Sequence, residues 1–225
     1  MAAPAPAAVI TGASRGIGRA LADRLARRGP VLGTCRGAHP EDGAGIRWAT
    51  LDVADPASHH ALAERLDGAP VGLLVCNAGI YPDRDESLAD GFPPAMWAEA
   101  FATNVTGVFL CVQTLLPNLQ CAPGARVAII ASQLGSTARA SGGSYIYRAS
   151  KAAAVNLGRN LAADLAGLGI GVGIYHPGWV RTDMGGAAAD LDAGTAADGL
   201  LARFDALTPD SAGRFESWDG RPLPY

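Results

Sequence analysis

The chain has 225 residues, 49% of them hydrophobic and 17% charged, which is enough apolar material for the core of one large domain or two small ones. Its formal net charge is −3 at pH 7 and its basic residues are scattered, which argues against nucleic acid as a partner, because nucleic-acid binders concentrate positive charge on one face. The four cysteines form no CxxC pair, so we expect reduced thiols, with no metal site and no disulfide framework.

The N-terminal residues Met1–Pro6 lack the basic start and the long apolar core of a signal peptide. The sequence also contains no uninterrupted apolar run of about eighteen residues, the length that a membrane-spanning helix needs. We therefore expect a cytoplasmic protein without a membrane partner.

Short apolar segments alternate with longer segments of helical period along the chain. The predicted strands are Ala7–Ile10, Val31–Thr34, Arg47–Leu51, Val71–Cys76, Arg126–Ala131 and Ile170–Tyr175, and Gly213–Trp218 fits a final strand. The predicted helices are Gly16–Arg28, Pro56–Leu66, Pro94–Leu116 (as one helix or two separated by a break), Tyr145–Ala166 and Thr195–Leu207. This alternation predicts an α/β fold, a Rossmann-like, doubly wound parallel sheet with helices on both faces, as a single domain over residues 1–225.

A glycine-rich segment, Thr11–Gly18, follows the first predicted strand and opens the first predicted helix. Its spacing is Gly-x3-Gly-x-Gly, a variant of the common dinucleotide-binding turn in the same structural context. Glycines let the backbone approach a pyrophosphate, and the helix N-terminus offers free N–H groups to it. The segment therefore predicts a dinucleotide site.

Three further clusters follow later strands of the predicted sheet. Asn77-Ala78-Gly79 closes the fourth strand, Ser132 ends the fifth, and Tyr147 and Lys151 lie at the start of the next helix. Taken singly, Asn77-Ala78-Gly79 would be interpreted as an ordinary turn, and Ser132 as the cap of a helix or turn. Because the carboxyl ends of parallel strands share one edge of a sheet, we expect all three clusters to converge on the crevice there.

Lys151 is the only lysine among eighteen basic residues, and it follows Tyr147 by four positions. Residues four apart share one face of a helix, so the ammonium and the phenol stand one turn apart. A compact ammonium can lower the pKa of a neighbouring tyrosine and bind vicinal hydroxyls, which a guanidinium does poorly. The alternative is a surface lysine at this spacing by chance.

Together these motifs resemble the short-chain dehydrogenase/reductase family, over nearly the whole chain and in the family's order. The matching segments are Thr11–Gly18, Leu51-Asp52-Val53, Asn77-Ala78-Gly79, Thr103-Asn104-Val105, Ser132, Tyr147 with Lys151, and Pro177-Gly178-x-Val180-x-Thr182. Tyr147–Lys151, His176–Gly186 and the closing Trp218-Asp219-Gly220-Arg221 further resemble the branch of C-factor and sniffer-type carbonyl reductases.

This resemblance implies hydride transfer between a nicotinamide ring and a carbonyl or alcohol carbon. Tyr147 would be the general acid, and Lys151 would hold the ribose hydroxyls and, with the oxidised nicotinamide, lower the pKa of the phenol. Ser132 would bind the substrate oxygen, and Asn104 would anchor a water that links Lys151 to solvent. No metal is required.

The choice of cofactor is read from the end of the second strand, where an acidic residue would bind the ribose of NAD. Arg36 stands there instead, and with Arg15 it can bind a 2′-phosphate, so NADP(H) is favoured over NAD(H). Glu41 and Asp42 would reverse this choice if their loop folded back. The complete set of predicted cofactor contacts is Gly12, Ser14, Arg15, Gly16, Ile17, Gly18, Arg36, Asp52, Val53, Asn77, Ala78, Gly79, Tyr147, Lys151, Pro177, Val180 and Thr182. Asp52 is assigned to the adenine amino group and Thr182 to the nicotinamide carboxamide, with a turn residue and a helix cap as their alternatives.

The substrate pocket is assigned only by adjacency to these motifs. The candidates for its lining are Gln133, Leu134, Tyr81, Tyr145, Trp179 and Met184, with core packing as the alternative for the last two. His176, which precedes a proline in an apolar strand, is interpreted as a core histidine.

The leading hypothesis is an NADPH-dependent carbonyl reductase acting on a small aldehyde or ketone. Two alternatives remain open, an NAD-dependent alcohol dehydrogenase and a dinucleotide-sensing or signalling protein without turnover. By resemblance to the family, the two long helices would pair across a two-fold axis in a homodimer or homotetramer.

Overall fold

In the computed structural model, residues 7–40 and 45–225 are described; Glu41 and Asp42 lie outside this part of the chain. The strands are β1 (Ala7–Ile10), β2 (Val31–Cys35), β3 (Ile46–Thr50), β4 (Val71–Cys76), β5 (Arg126–Ile130), β6 (Gly171–His176) and β7 (Phe215–Ser217). The helices are α1 (Gly16–Leu25), α2 (Pro56–Leu66), α3 (Pro94–Phe101), α4 (Gly107–Gln120), α5 (Tyr145–Ala166) and α6 (Ala193–Ala206). The strands pair in parallel in the order β3-β2-β1-β4-β5-β6-β7, which confirms the predicted Rossmann-like fold class.

The two faces of the sheet carry separate apolar cores, because successive side chains of a strand point to opposite faces. In β1, Ile10 packs in the core that includes Leu21 of α1 and Phe204 of α6. Its neighbour Val9 faces the other core, with Leu115 of α4 and buried side chains of α2 and α5. The near-continuous apolar sequences of the strands reflect this burial on both faces.

The order of the strands reverses direction between β1 and β4. The chain moves outward from β1 through β2 to β3 on one side, and from β4 through β5 and β6 to β7 on the other. In open α/β sheets a crevice forms at such a switch point, beside the carboxyl ends of the strands. The glycine turn after β1 and Asn77 after β4 both lie at this position.

The predicted helix Pro94–Leu116 contains the break that its sequence left open. A π-helical turn, Ala102–Thr106, separates α3 from α4 and includes Asn104, and such turns occur frequently at functional sites. The predicted end at Leu116 is wrong, because α4 continues to Gln120 with Pro117 inside it.

The run Pro94–Gln120 is also long and apolar enough to cross a membrane, with a mean hydropathy of 1.4 over eighteen residues. However, 44% of that window is buried inside the protein, and Leu115 and Leu119 are fully buried in the core. A core helix of this kind accounts for the apolar sequence without a membrane.

Candidate active site

Hydrogen bonds tie the glycine turn to the end of β4. The hydroxyl of Thr11 accepts from the backbone N–H groups of Asn77 and Ala78, each at 3.0 Å. The side-chain amide of Asn77 in turn donates to the carbonyl oxygens of Thr11 and Gly12, also at 3.0 Å. A Cβ atom at Gly18 would lie 2.3 Å from the Gly12 oxygen and 2.5 Å from the Asn77 side-chain nitrogen. Only glycine therefore fits at position 18.

The start of α1 has the features of an anion site. Gly12 and Gly16 have positive φ angles of 65° and 57°, which glycine adopts without strain. Arg15, at the cap position, makes no side-chain hydrogen bond to the first turn, and that turn contains no acidic residue. The first N–H groups of the helix thus remain available to a phosphate, and the residues present fit a dinucleotide.

A cleft of about 390 Å³ runs along this edge of the sheet. Every predicted cofactor contact lines it except Val180, which is buried and bridged to Leu191. Further residues line the cleft but are not among the predicted cofactor contacts, namely Cys35, Leu51, Ile80, Thr103, Ile130, Ala131, Arg181, Asp183 and Met184. Most of them lie next to a predicted motif along the chain, and this proximity is the sequence signal that could have indicated them.

Asp52 and Thr182 combine a place on the cleft wall with the local roles named as their alternatives. One carboxylate oxygen of Asp52 accepts from the Ala54 N–H at 3.0 Å, as in an Asx turn. The Thr182 hydroxyl accepts from the Gly185 N–H at 3.0 Å. Both side chains therefore fix the backbone while they line the cleft.

Arg36 and Arg15 both line the cleft, and Arg15 belongs to the glycine turn itself. Arg36 is exposed at the end of β2. The Arg15 guanidinium forms an ion pair with Asp183, which belongs to the loop after β6, and both side chains are largely exposed. This pair joins the glycine turn to the loop on the other side of the cleft.

Lys151 and Tyr147 lie together on α5, as their spacing predicts. The Lys151 side-chain nitrogen is 5.7 Å from the Tyr147 ring centroid and donates to the Ile130 carbonyl oxygen at 3.0 Å. Both residues are buried and line the same cleft as the glycine turn. A Cβ atom at Gly79 would come within 3.3 Å of this nitrogen, so glycine keeps the space in front of Lys151 open.

Ser132 and Asn104 are buried and are not among the described residues that line the cleft. The Ser132 hydroxyl accepts from the Leu134 N–H at 3.2 Å and so caps the following turn. The Asn104 side chain exchanges two hydrogen bonds of 2.9 Å with the backbone of Ile80 and donates to the Ser150 hydroxyl at 3.0 Å. Asn104 thereby fixes the backbone next to Gly79.

The comparison with known sequences identifies the family. The sequence pattern of the family described as short chain dehydrogenase matches residues 6–192. The chain belongs to this family. One relative, the protein named C-signal from Myxococcus xanthus, is 36% identical over 170 residues, which cover 73% of this dehydrogenase and 99% of the relative.

Solved structures agree with this identification. The NADPH-bound carbonyl reductase from chicken fatty liver superposes with a TM-score of 0.88 at 29% identity, covering 99% of this chain and 100% of that one. The carbonyl reductase Sniffer of D. melanogaster gives a TM-score of 0.88 at 25% identity, with the same coverage. The short-chain dehydrogenase is thus an oxidoreductase, and its predicted resemblance to sniffer-type carbonyl reductases is confirmed.

Burial controls the ionisation of the two central groups of this dehydrogenase. Loss of solvent lowers the pKa of Lys151 to about 8. Burial raises the pKa of Tyr147 to about 12, and a hydrogen bond with Ser132 offsets part of this rise. The expected lowering of the tyrosine pKa refers to the complex with the oxidised nicotinamide, and it stays a prediction for that complex. At neutral pH Tyr147 is a neutral acid with a proton to give.

Two residues outside the predicted motifs contact Tyr147: Tyr81, a candidate for the pocket lining, and Asp83. Tyr81 stacks on the Tyr147 ring, with centroids 4.0 Å apart and planes 16° apart. Trp179 and Met184 are 52% and 40% exposed, which excludes the alternative of core packing. Asp83, a fully buried carboxylate bonded to the backbone of Tyr147, had no signal in the sequence, because its partners lie 63 and 64 residues away.

Proposed function

We propose that this short-chain dehydrogenase is an NADPH-dependent carbonyl reductase that acts on a small aldehyde or ketone, with Tyr147 as the proton donor. One observation carries the proposal: a protonated, buried phenol lies beside the only lysine of the chain, on the wall of the cleft that the glycine turn opens. When bound, the nicotinamide cofactor supplies the hydride.

Each residue then has one task. Tyr147 gives its proton to the carbonyl oxygen as the negative charge develops there, which is general acid catalysis. Ser132, whose hydroxyl lowers the pKa of the phenol, stabilises the same oxygen. Lys151 has donated one N–H to Ile130, so two donors remain for the ribose hydroxyls of the cofactor. Asn104 anchors the water that returns a proton through Lys151.

The preference for NADPH rests on two arginines. Arg36 is exposed in the cleft at the end of β2, and the NADP-bound state gains a charge-assisted hydrogen bond to its guanidinium. Arg15 contributes a second positive charge once it exchanges Asp183 for a phosphate. The bound NADPH of the chicken carbonyl reductase structure supports the same choice.

The test is cofactor consumption over a panel of aldehydes, ketones and diketones, with NADPH and NADH compared at equal concentration. We expect turnover with NADPH, and a loss of about a hundredfold or more in kcat for Tyr147→Phe, which keeps the ring but has no proton to give. The matched control is Tyr175→Phe, a buried tyrosine on β6 outside the residues that line the cleft. Faster turnover with NADH, or oxidation of alcohols as the preferred direction, would instead establish an NAD-dependent alcohol dehydrogenase.

A second candidate from another class is a dinucleotide-sensing or signalling protein on the same fold. The similarity to the protein named C-signal favours it. The retention of Asn104, Ser132, Tyr147 and Lys151 argues against it, because a protein that only senses a dinucleotide does not need a proton donor. A biological effect that survives Tyr147→Phe would favour the sensor.

We also propose that residues 1–225 act as one cytoplasmic, dinucleotide-binding domain that assembles as a homodimer or homotetramer. The exposed part of the apolar run Pro94–Gln120, including Phe109 at 41% exposure, supports an assembly through the long helices. Light scattering at several concentrations would measure the assembled mass.

A further inference from the structure

Asp83 is a buried charge for which the proposed reaction has no use. Its residue exposure is 0%, and an isolated carboxylate in such a place would be strongly unfavourable. The charge is compensated by backbone donors: one oxygen accepts from the Ile146 N–H at 2.7 Å and the other from the Tyr147 N–H at 3.1 Å. Asp83 therefore binds the N-terminus of α5 and the backbone of the proposed proton donor itself.

The start of α5 needs such a partner. A helix leaves its first four N–H groups without partners inside the helix, and a carboxylate there is favoured by the helix dipole. Ser144, at the cap position, has a left-handed backbone with φ 47° and makes no side-chain cap. The first turn of α5 contains no acidic residue either. Asp83 supplies from another loop what the helix lacks.

The same loop also holds the ring of Tyr147. Tyr81 stacks on that ring at 4.0 Å, and the Tyr81 hydroxyl bonds the hydroxyl of Ser144. Pro82 lies between Tyr81 and Asp83 and restricts the backbone that connects them. The segment Tyr81–Asp83 thus contacts Tyr147 at two places, the face of its ring and its backbone N–H.

Five side chains from three parts of the fold lie near Tyr147 or influence its ionisation. Tyr81, Asp83 and Arg84 come from the loop after β4, Ser132 from the end of β5, and Lys151 from α5. Among them, Tyr81 and Asp83 raise the pKa of the phenol, whereas Ser132 and Arg84 lower it. Ionising Tyr147 would add a negative charge that the Asp83 carboxylate repels, which is unfavourable in a buried site.

We propose that Asp83 is a positioning residue for Tyr147: its carboxylate fixes the first turn of α5 and the backbone that carries the phenol, and its negative charge adds to the effect of burial in disfavouring the phenolate. This inference rests on the proposed role of Tyr147 as proton donor. It assigns to one carboxylate the placement of the acid and a part of the free-energy cost of ionising it.

The decisive measurement is carbon NMR of ring-labelled tyrosine in the free protein, because it needs no turnover. Tyr147→Phe assigns the signal. Between about pH 8 and pH 11, around the ordinary tyrosine pKa, we expect the wild-type Tyr147 signal to titrate little. In Asp83→Asn, which keeps a side-chain oxygen and removes the charge, the transition should move to lower pH. Asp85→Asn, an exposed aspartate of the same loop, is the control and should not move it.

Kinetics separate placement from charge. For Asp83→Ala we expect kcat to fall by about tenfold to a hundredfold, the range for a catalytic group misplaced by about 1 Å, with the Kd of NADPH within about twofold of wild type. Asp83→Asn should retain more of kcat and lose it towards alkaline pH earlier than wild type does. If Asp83→Ala does not fold, the titration of Tyr147 in Asp83→Asn still tests the proposed role of Asp83.

An unchanged phenol titration in Asp83→Asn would overturn the inference. If the wild-type protein oxidised no NADPH with any carbonyl compound, the proposed function would be wrong instead. The NMR result on Asp83 would still be valid, because it does not depend on turnover.

Discussion

The Lys151 side-chain nitrogen lies 3.0 Å from the Ile130 carbonyl oxygen, so helix α5 is bonded directly to the last residue of β5. Ser132 follows two residues later. The lysine therefore fixes the distance between the strand that Ser132 follows and the helix that carries Tyr147. An arginine would reach past this carbonyl and present a planar group with a different set of donors.

Lys151→Arg should reduce kcat/KM by at least about a hundredfold, because the guanidinium neither fits the bond to Ile130 nor approaches the ribose hydroxyls in the same way. Thermal unfolding of the variant, measured in parallel, separates loss of activity from loss of fold. Turnover near the wild-type rate in a folded Lys151→Arg protein would contradict the assigned role.

The composition provides a chemical version of the same experiment. Apart from the α-amino group, Lys151 is the only primary amine in the sequence. Its low pKa of about 8 gives it a reactive neutral fraction, although its 5% exposure demands a small acylating reagent. We expect loss of activity to track modification at Lys151 by mass spectrometry, and bound NADPH to slow both. Full activity after complete modification of Lys151 would refute this expectation.

Gly18→Ala should weaken cofactor binding by about tenfold or more. The new Cβ would overlap the Gly12 carbonyl and the Asn77 amide. The hydrogen bond between these two groups, which ties the glycine turn to the end of β4, must therefore lengthen or break. Gly29→Ala is the matched control, since a Cβ there meets nothing within 4 Å. Titration of intrinsic fluorescence with NADPH measures both affinities. Equal Kd values for the two variants would show that the close approach at Gly18 is unimportant.

The fold could be predicted well because periodicity and strand-end motifs are local signals. The predicted β1 and α2 agree with the structure, and β3 and β6 are displaced by one residue. Such small errors arise because terminal residues depend on which hydrogen bonds the neighbouring strand offers, as with Thr50 of β3 and Cys35 of β2.

Those residues of the candidate site that belong to a sequence motif could be predicted. Tyr147 and Lys151 share a helix face by spacing alone, so their proximity was readable. Asp83 was not, because Tyr81-Pro82-Asp83 reads locally as a turn and its partners belong to another part of the chain. The raised pKa of Tyr147 was also missed, since it depends on burial, which the residues around a motif do not reveal.

Arg36→Ser should raise the Kd of NADPH by about tenfold and leave the Kd of NADH unchanged, because the two cofactors differ by the phosphate that Arg36 is proposed to bind. The control is Arg65→Ser, an exposed arginine on α2 outside the residues that line the cleft. Fluorescence titration with each cofactor gives the four affinities. An equal loss for NADPH and NADH would assign Arg36 a structural role instead.

His176 should make the protein less stable in mild acid. Burial, together with Arg139 and Arg221, lowers the pKa of His176 to about 4, and its Nδ1 atom is buried without a hydrogen-bond partner among the described residues. The unfolded chain has an ordinary histidine pKa of about 6.5, so between pH 6.5 and pH 4 only the unfolded state takes up this proton. Stability is therefore full above pH 6.5 and falls as the pH drops through this window, by about 1.4 kcal/mol per pH unit for this group.

Urea unfolding at about pH 7 and pH 5 tests this linkage, because those values lie above and inside the range in which an unfolded histidine of ordinary pKa becomes protonated. The wild type should lose about 2 kcal/mol more over this interval than His176→Gln, which has a polar side chain that does not titrate. His60→Gln, an exposed histidine on α2, should behave like the wild type. Since other acidic groups titrate equally in all three proteins, the difference between them isolates His176. Parallel losses in wild type and His176→Gln would mean that the imidazole is hydrated or already bonded in solution.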